Sequence, residues 1–161
     1  MQCPITHVAP LLPHSGAMVL FETVESYDTE SLRGTAMITP DSPLADNGHF
    51  AAWATMEVMA QGIGALAGAL AHDAGEPVRL GFLLGTRCLE LFFDTIPAPC
   101  RLGVSVRQSI LDHNGFGVFD CELTLRHDPH GKASADDRLL ARAALNAFQP
   151  KNVEDYLKES A

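Results

Sequence analysis

Positive charge is scarce in this chain. Its 161 residues carry 11 lysines and arginines against 20 acidic residues, a net charge of −9. A nucleic-acid partner needs a basic stripe that neutralises phosphates, so that class of function is excluded. Cysteine is equally sparse. Cys3, Cys88, Cys100 and Cys121 are scattered, with no C-x-x-C pair and no metal-ligand spacing. This argues against a zinc site and predicts buried free thiols in a reducing compartment. No basic stretch precedes an apolar run at the N-terminus, where Pro4 and His7 stand instead. That is not the pattern of a signal peptide, and a cytoplasmic protein is expected. Internal repeats, low-complexity tracts and a second domain are also absent.

What is present is apolar. Hydrophobic residues make up 47% and charged residues 19%, which describes a folded core and not a disordered chain. The length suits one domain, expected over residues 1–150 with a polar tail over 151–161. Only one stretch reads as a long helix, starting around Asn47-Gly48-His49 and running to about Ala71. It is apolar nearly all round, yet Glu57 and Gln61 lie on it one turn apart and His49 stands just before it. Ala51–Ala71 holds a single charge and meets the length needed to span a bilayer. Ala60, Gly64 and Gly68 add a small-xxx-small ladder. Against a span, the stretch is built from Ala and Gly more than from Leu and Ile. Its flanks (Asp46, His49, His72, Asp73) offer no Lys or Arg as an anchor. A buried helix and no membrane span is therefore expected, its small residues letting a surrounding sheet come close.

Around this helix the chain reads as strands. Residues 1–17 form a proline-punctuated lead-in ending in Leu11-Leu12-Pro13-His14-Ser15-Gly16. Met18–Tyr27 reads as a strand, and Leu32–Thr39 as a second, with Leu32, Gly34, Ala36 and Ile38 on one face. Pro40–Gly48 is a loop. The helix ends near Gly75, which suits a left-handed cap, and Pro77 stops any continuation. Arg79–Phe93 then reads as a long apolar strand bent at Gly85. Leu102–Leu111 follows, with Leu102, Val104, Val106 and Ile110 on one face. Asn114-Gly115 predicts a hairpin with positive φ at both turn positions. Phe116–Arg126 returns with Phe119, Cys121, Leu123 and Leu125 on one face. His127–Asp137 is a polar loop, Leu139–Phe148 the last strand, and Asn152–Lys158 suits a short helix capped by Asn152.

Two strands, one helix and about four hairpin-linked strands make an α+β chain. A helix apolar all round needs cover on most sides, and one antiparallel sheet curled around it supplies that. This is the outline of a hotdog fold. Such a sheet leaves an edge strand open, and pairing into a dimer satisfies it.

Several segments carry a more specific likeness. Leu12-Pro13-His14, the strand Met18–Val24, Gly48-His49-Phe50 and Glu57-Val58-Met59-Ala60-Gln61 resemble bacterial 3-hydroxyacyl-(acyl-carrier-protein) dehydratases of the hotdog fold. The closer likeness is to the dehydratase-like proteins of aryl polyene biosynthesis. It rests on Ala52-Trp53, Gly81-Phe82-Leu83-Leu84-Gly85-Thr86-Arg87, the Asp112–Glu122 hairpin and Asn146-Ala147-Phe148-Gln149-Pro150, and covers roughly residues 10–150. The resemblance implies conversion of 3-hydroxyacyl thioesters on an acyl carrier protein to 2-enoyl thioesters. The setting would be aryl polyene synthesis or related fatty-acid- or polyketide-type elongation, with the chain in a homodimer or in a heterodimer with another hotdog protein. It also implies a histidine before the helix and an acid on it, acting together across the dimer, which fall on His49 and Glu57. The proline- and glycine-rich loop that separates the two in the fatty-acid enzymes is missing here, and Glu57 follows His49 by only eight positions. The aryl polyene relatives share a histidine like His14, which is the second candidate for the base.

Dehydration requires a base for the C2 proton, an acid for the departing hydroxyl, and help for charge on the thioester oxygen. A neutral histidine suits the first role. Burial would hold Glu57 protonated for the second, and the N–H groups of Ala51–Ala54 at the helix start are candidates for the third. No metal or redox cofactor is needed. Against these readings stand plainer ones: Glu57 as a structural acid bonded to Gln61, and His49 and His14 as loop residues. Trp53 is expected in the core or in a tunnel wall, Arg79, Arg87 and Arg107 at solvated strand ends, and His127 and His130 as a loop pair without a metal. A hotdog thioesterase and a non-catalytic subunit completing a partner's site are the alternative functions.

Overall fold

A computed structural model describes residues 1–127 and 133–150. The polar loop around His130, with any His127–His130 pairing, and the tail with the helix expected over Asn152–Lys158 lie outside the described residues. The elements are β1 (Phe21–Tyr27), β2 (Ser31–Ile38), β3 (Ala45–Asp46), β4 (His49–Ala51), α1 (Thr55–Asp73), β5 (Phe82–Leu91), β6 (Thr95–Pro97), β7 (Cys100–Leu111), β8 (Phe116–His127) and β9 (Ala133–Phe148). One six-stranded antiparallel sheet runs β1-β2-β7-β8-β9-β5, and a three-stranded sheet, β3-β4-β6, sits beside it. This is the hotdog arrangement of a sheet around one long helix.

The period-two patterning explains the concave face. Leu32, Ala36 and Ile38 of β2, Leu102, Val104 and Val106 of β7, and Phe119, Cys121 and Leu123 of β8 are all buried. They pack against Val58, Met59, Ala65, Leu66 and Ala69 of α1 in one cluster, each large side chain contributing about 1.5–3 kcal/mol by leaving water. Gly62 is where the sheet lies nearest. A Cβ there would stand 2.8 Å from Val106 and 3.0 Å from Val104. A second side of the helix is covered by the lead-in: Val8, Leu11 and Leu12 are buried, and a Cβ on Gly68 would collide with the Leu11 carbonyl. The small-residue ladder thus admits the lead-in at Gly68, while the sheet approaches at Gly62. The third side of α1 borders a cavity. By length and composition Ala52–Asp73 could cross a bilayer, but here its apolar faces serve the sheet and the lead-in.

The structure departs from the sequence reading in several places. The helix begins later than expected, because Asn47 and Gly48 take left-handed φ values of 49° and 73° and His49–Ala51 pairs as strand β4 with β3 and β6. A 3-10 turn, Ala52–Ala54, precedes α1. Met18 lies in another 3-10 turn and not in β1. Ile110 is turned outward by a register shift after Gln108 and is 53% exposed. In the β7–β8 hairpin only Gly115 has positive φ; Asp112 closes the turn by accepting the N–H groups of Asn114 and Phe116. β9 starts six residues earlier than its apolar run, at Ala133. Cys100 and Cys121 are buried, which pushes their thiols up to about 11 and about 12, but Cys88 is exposed.

The largest difference is β5. Read as a long apolar strand over Arg79–Phe93, it is an edge strand over Phe82–Leu91 with Leu83, Leu84 and Leu91 exposed, flanked by exposed Leu80 and Phe92. The opposite edge, β1, is bridged by Ile5, which exchanges two 2.9 Å hydrogen bonds with Val24. Among the described residues β5 is therefore the apolar edge with no strand beyond it.

Candidate active site

Glu57 lies in the first turn of α1 on its third side. The helix periodicity that buries Val58 and Met59 turns Glu57, Ala60, Gly64, Ala67 and Ala71 away from the sheet, along one stripe. That stripe walls a cavity of about 500 Å³. Pro13 and His14 stand at the Glu57 end, and Glu76, Arg79 and Gln149 at the other, with Ile63, Leu70, Phe82, Phe119 and Phe148 among the walls between.

His14 reaches Glu57 directly, its Nε2 lying 3.2 Å from Oε1. Both side chains keep about a third of their surface exposed, 28% and 30%. Glu57 is thus a cavity-wall acid and not the immersed one expected from an apolar helix. Oε2 has no protein partner among the described residues, and neither does the buried Nδ1 of His14.

The segment that carries His14 is tied to α1 at both ends. Upstream, Leu11 and Leu12 are packed on Gly68 and beside Gly64. Downstream, Gln61 holds the chain. This side chain is fully buried, and its Oε1 accepts the N–H groups of Leu20 and Phe21 at 2.9 and 3.2 Å. Its Nε2 donates to the Met18 carbonyl at 2.6 Å and to Glu57 Oε1 at 2.9 Å. One amide therefore orients the acid and fixes the strand that follows the histidine. The sequence signal for this was a glutamine one turn from the acid in an apolar helix; its bond to Glu57 was legible, its three backbone partners were not. Gln61→Leu would strand two backbone N–H groups and a carbonyl, each costing about 1–3 kcal/mol. Urea unfolding is expected to show a loss of at least that size; an unchanged midpoint would refute this anchoring role.

The other candidates lie elsewhere. His49 is exposed on β4, its Nδ1 at 3.0 Å from the Asn47 carbonyl, and it does not line the cavity. Ala51 belongs to β4, and the Ala52 N–H already donates to the Asp94 carbonyl. The residues Ala51–Ala54 do not line the cavity either, so the expected oxyanion donors are not at Glu57. Trp53 is 66% exposed and forms neither core nor tunnel wall. Arg87 and Arg107 are exposed within strands, and Arg79 lines the far end of the cavity. Among the described residues no three His, Cys, Asp or Glu side chains are grouped to hold a metal ion.

The family model for the ApeP-like dehydratases matches residues 6–158. The chain belongs to the ApeP-like dehydratase family. The solved dehydratase heterocomplex ApeI:P from Xenorhabdus doucetiae contains a chain similar to it, with 26% identity, a TM-score of 0.81, and 98% of this chain and 97% of that one covered. More distant structures share the fold alone. A Streptococcus pneumoniae hypothetical thioesterase solved with coenzyme A is 15% identical, with a TM-score of 0.54 over 80% of this chain and 84% of that one. The Escherichia coli PaaI protein is 10% identical, with a TM-score of 0.54 over 78% and 80%. No curated protein sequence matches. Family membership supports a dehydratase, a hydro-lyase, and gives the His14–Glu57 pair a reaction to be tested against.

Proposed function

We propose that this ApeP-like dehydratase converts 3-hydroxyacyl thioesters on an acyl carrier protein to 2-enoyl thioesters. Its setting would be the cytoplasm, in aryl polyene or related chain elongation. The observation that carries the reading is the 3.2 Å contact between His14 and Glu57 at the end of an apolar cavity. In this scheme neutral His14 takes the C2 proton while Glu57, as the carboxylic acid, protonates the C3 hydroxyl. Water leaves as the C2–C3 double bond forms. The direct contact then lets His14 return its proton to Glu57, so the pair ends each turnover as it began.

The partner in this reading is another hotdog protein. The exposed leucines of β5 and its place at the end of the strand order among the described residues favour strand pairing, and the similar Xenorhabdus doucetiae chain was solved in a heterocomplex. Leu83 and Leu111 are both exposed and both line the cavity, so a protein laid on this edge would also complete the cavity wall. The test is product analysis by mass spectrometry with 3-hydroxyacyl carrier protein, using the protein alone and mixed with a hotdog partner. A 2-enoyl thioester that depends on Glu57 supports the proposal. Free acid without enoyl product would make the protein a thioesterase, and activity that needs the partner but not Glu57 would make it a non-catalytic subunit.

A further inference from the structure

The edge strand β5 is irregular in a way that its apolar composition does not require. It pairs with β9 in three runs, residues 82–83, 85–86 and 88–91. Register shifts between these runs leave Leu84 and Arg87 with no residue opposite them. Each is a β-bulge, which bends a strand and sharpens its twist. The local sequence holds both in place. Gly85 follows the first with a φ of 142°, in the region that favours glycine. Thr86 Oγ1 braces the second, sharing its proton between the carbonyls of Cys88 at 2.6 Å and Ala144 at 3.0 Å. Leu84 and Arg87 are both exposed, and among the described residues Arg87 forms no ion pair.

We propose that the two bulges and Arg87 bar β5 from pairing with a second copy of this chain and reserve it for a strand of a different hotdog chain. This rests on the reading above that a hotdog partner pairs with β5. Two copies of one strand pair antiparallel about a twofold axis, so each break enters the ladder twice. An axis at Arg87 sets two guanidinium groups together, and like charges directly opposite are destabilising. An axis at Leu84 leaves residues 88–91 facing residues 77–80, which belong to no strand. An axis between Gly85 and Thr86 sets each Leu84 against the other copy's Arg87, an apolar side chain against a charge in both halves. Any remaining axis sets the breaks of each copy against intact runs of the other. A different chain escapes these limits. Its strand can carry breaks that face 84 and 87, apolar residues toward Leu83 and Leu91, and a carboxylate toward Arg87.

Light scattering on the chain alone is expected to give the monomer mass across the micromolar range; a homodimer overturns the proposal. Deleting Leu84 and Arg87 together removes both breaks and keeps every residue pair between β5 and β9. Combined with Gly85→Thr, this double deletion is expected to raise the self-association constant roughly tenfold or more. A folded variant that stays monomeric overturns the proposal. Deletion of Arg87 alone removes one break and is the second variant should the double deletion not fold. It is expected to shift self-association in the same direction, and no shift overturns the proposal. Arg87→Glu keeps the bulges, and is expected to leave the chain monomeric while weakening the hotdog partner used for turnover roughly tenfold. Unchanged partner binding overturns the carboxylate opposite Arg87. If the double deletion dimerises yet the partner binds it as tightly as wild type, the partner sits elsewhere than on β5. The pairing reading then falls, while the bar to self-pairing stands.

Discussion

Glu57→Gln is expected to lower kcat for dehydration by about 10²–10⁴-fold, the usual contribution of a positioned proton donor or acceptor, while the protein remains folded. The substitution is nearly isosteric. Its amide carbonyl can take the place of Oε1 and accept the Gln61 N–H that now lies at 2.9 Å, so the strap that fixes Met18, Leu20 and Phe21 to α1 persists. What disappears is a group able to carry a proton beside His14. The measurement is single-turnover formation of the 2-enoyl thioester, with a melting curve on the same sample. Activity within a few-fold of wild type would remove Glu57 from the chemistry and leave it as the structural acid bonded to Gln61.

Glu57 was legible in the sequence as a candidate because an acid in an apolar helix is costly unless its surroundings compensate. Periodicity also carried the long helix, the paired strands β7 and β8 and the α+β class, since a sheet buried on one face must alternate. Two kinds of feature were not legible. The first is edge position: β5 has the composition of a core strand, yet only the order of strands in the sheet decides that Leu83, Leu84 and Leu91 are exposed. The second is tertiary approach. Nothing local to Leu12-Pro13-His14 says that Leu11 and Leu12 will seat on α1 and bring His14 to Glu57. The same blindness favoured His49, which is near Glu57 in sequence. The left-handed pair Asn47-Gly48 and the strand His49–Ala51 carry it away onto a second sheet.

The two histidines therefore separate cleanly by mutation. His14→Ala is expected to reduce kcat by about 10²–10⁴-fold, and His49→Ala to leave it within a few-fold. His14 shares Oε1 of Glu57 and lines the cavity, whereas the ring of His49 is exposed and engages a backbone carbonyl of its own turn. A readout beyond rate distinguishes a base from a prop. If His14 takes the C2 proton, His14→Ala should abolish solvent exchange of C2 deuterium in the enoyl-forming assembly, and added imidazole should restore part of the rate in the cavity opened by the lost ring. His14→Gln is the companion variant, since it can hold a hydrogen bond to Glu57 but cannot accept the proton. Should His14→Gln retain wild-type turnover, the histidine merely orients the acid. Should His49→Ala instead show the 10²–10⁴-fold loss, the base would have to come from His49 of a neighbouring protomer, and the His14 contact would be a resting-state hydrogen bond only.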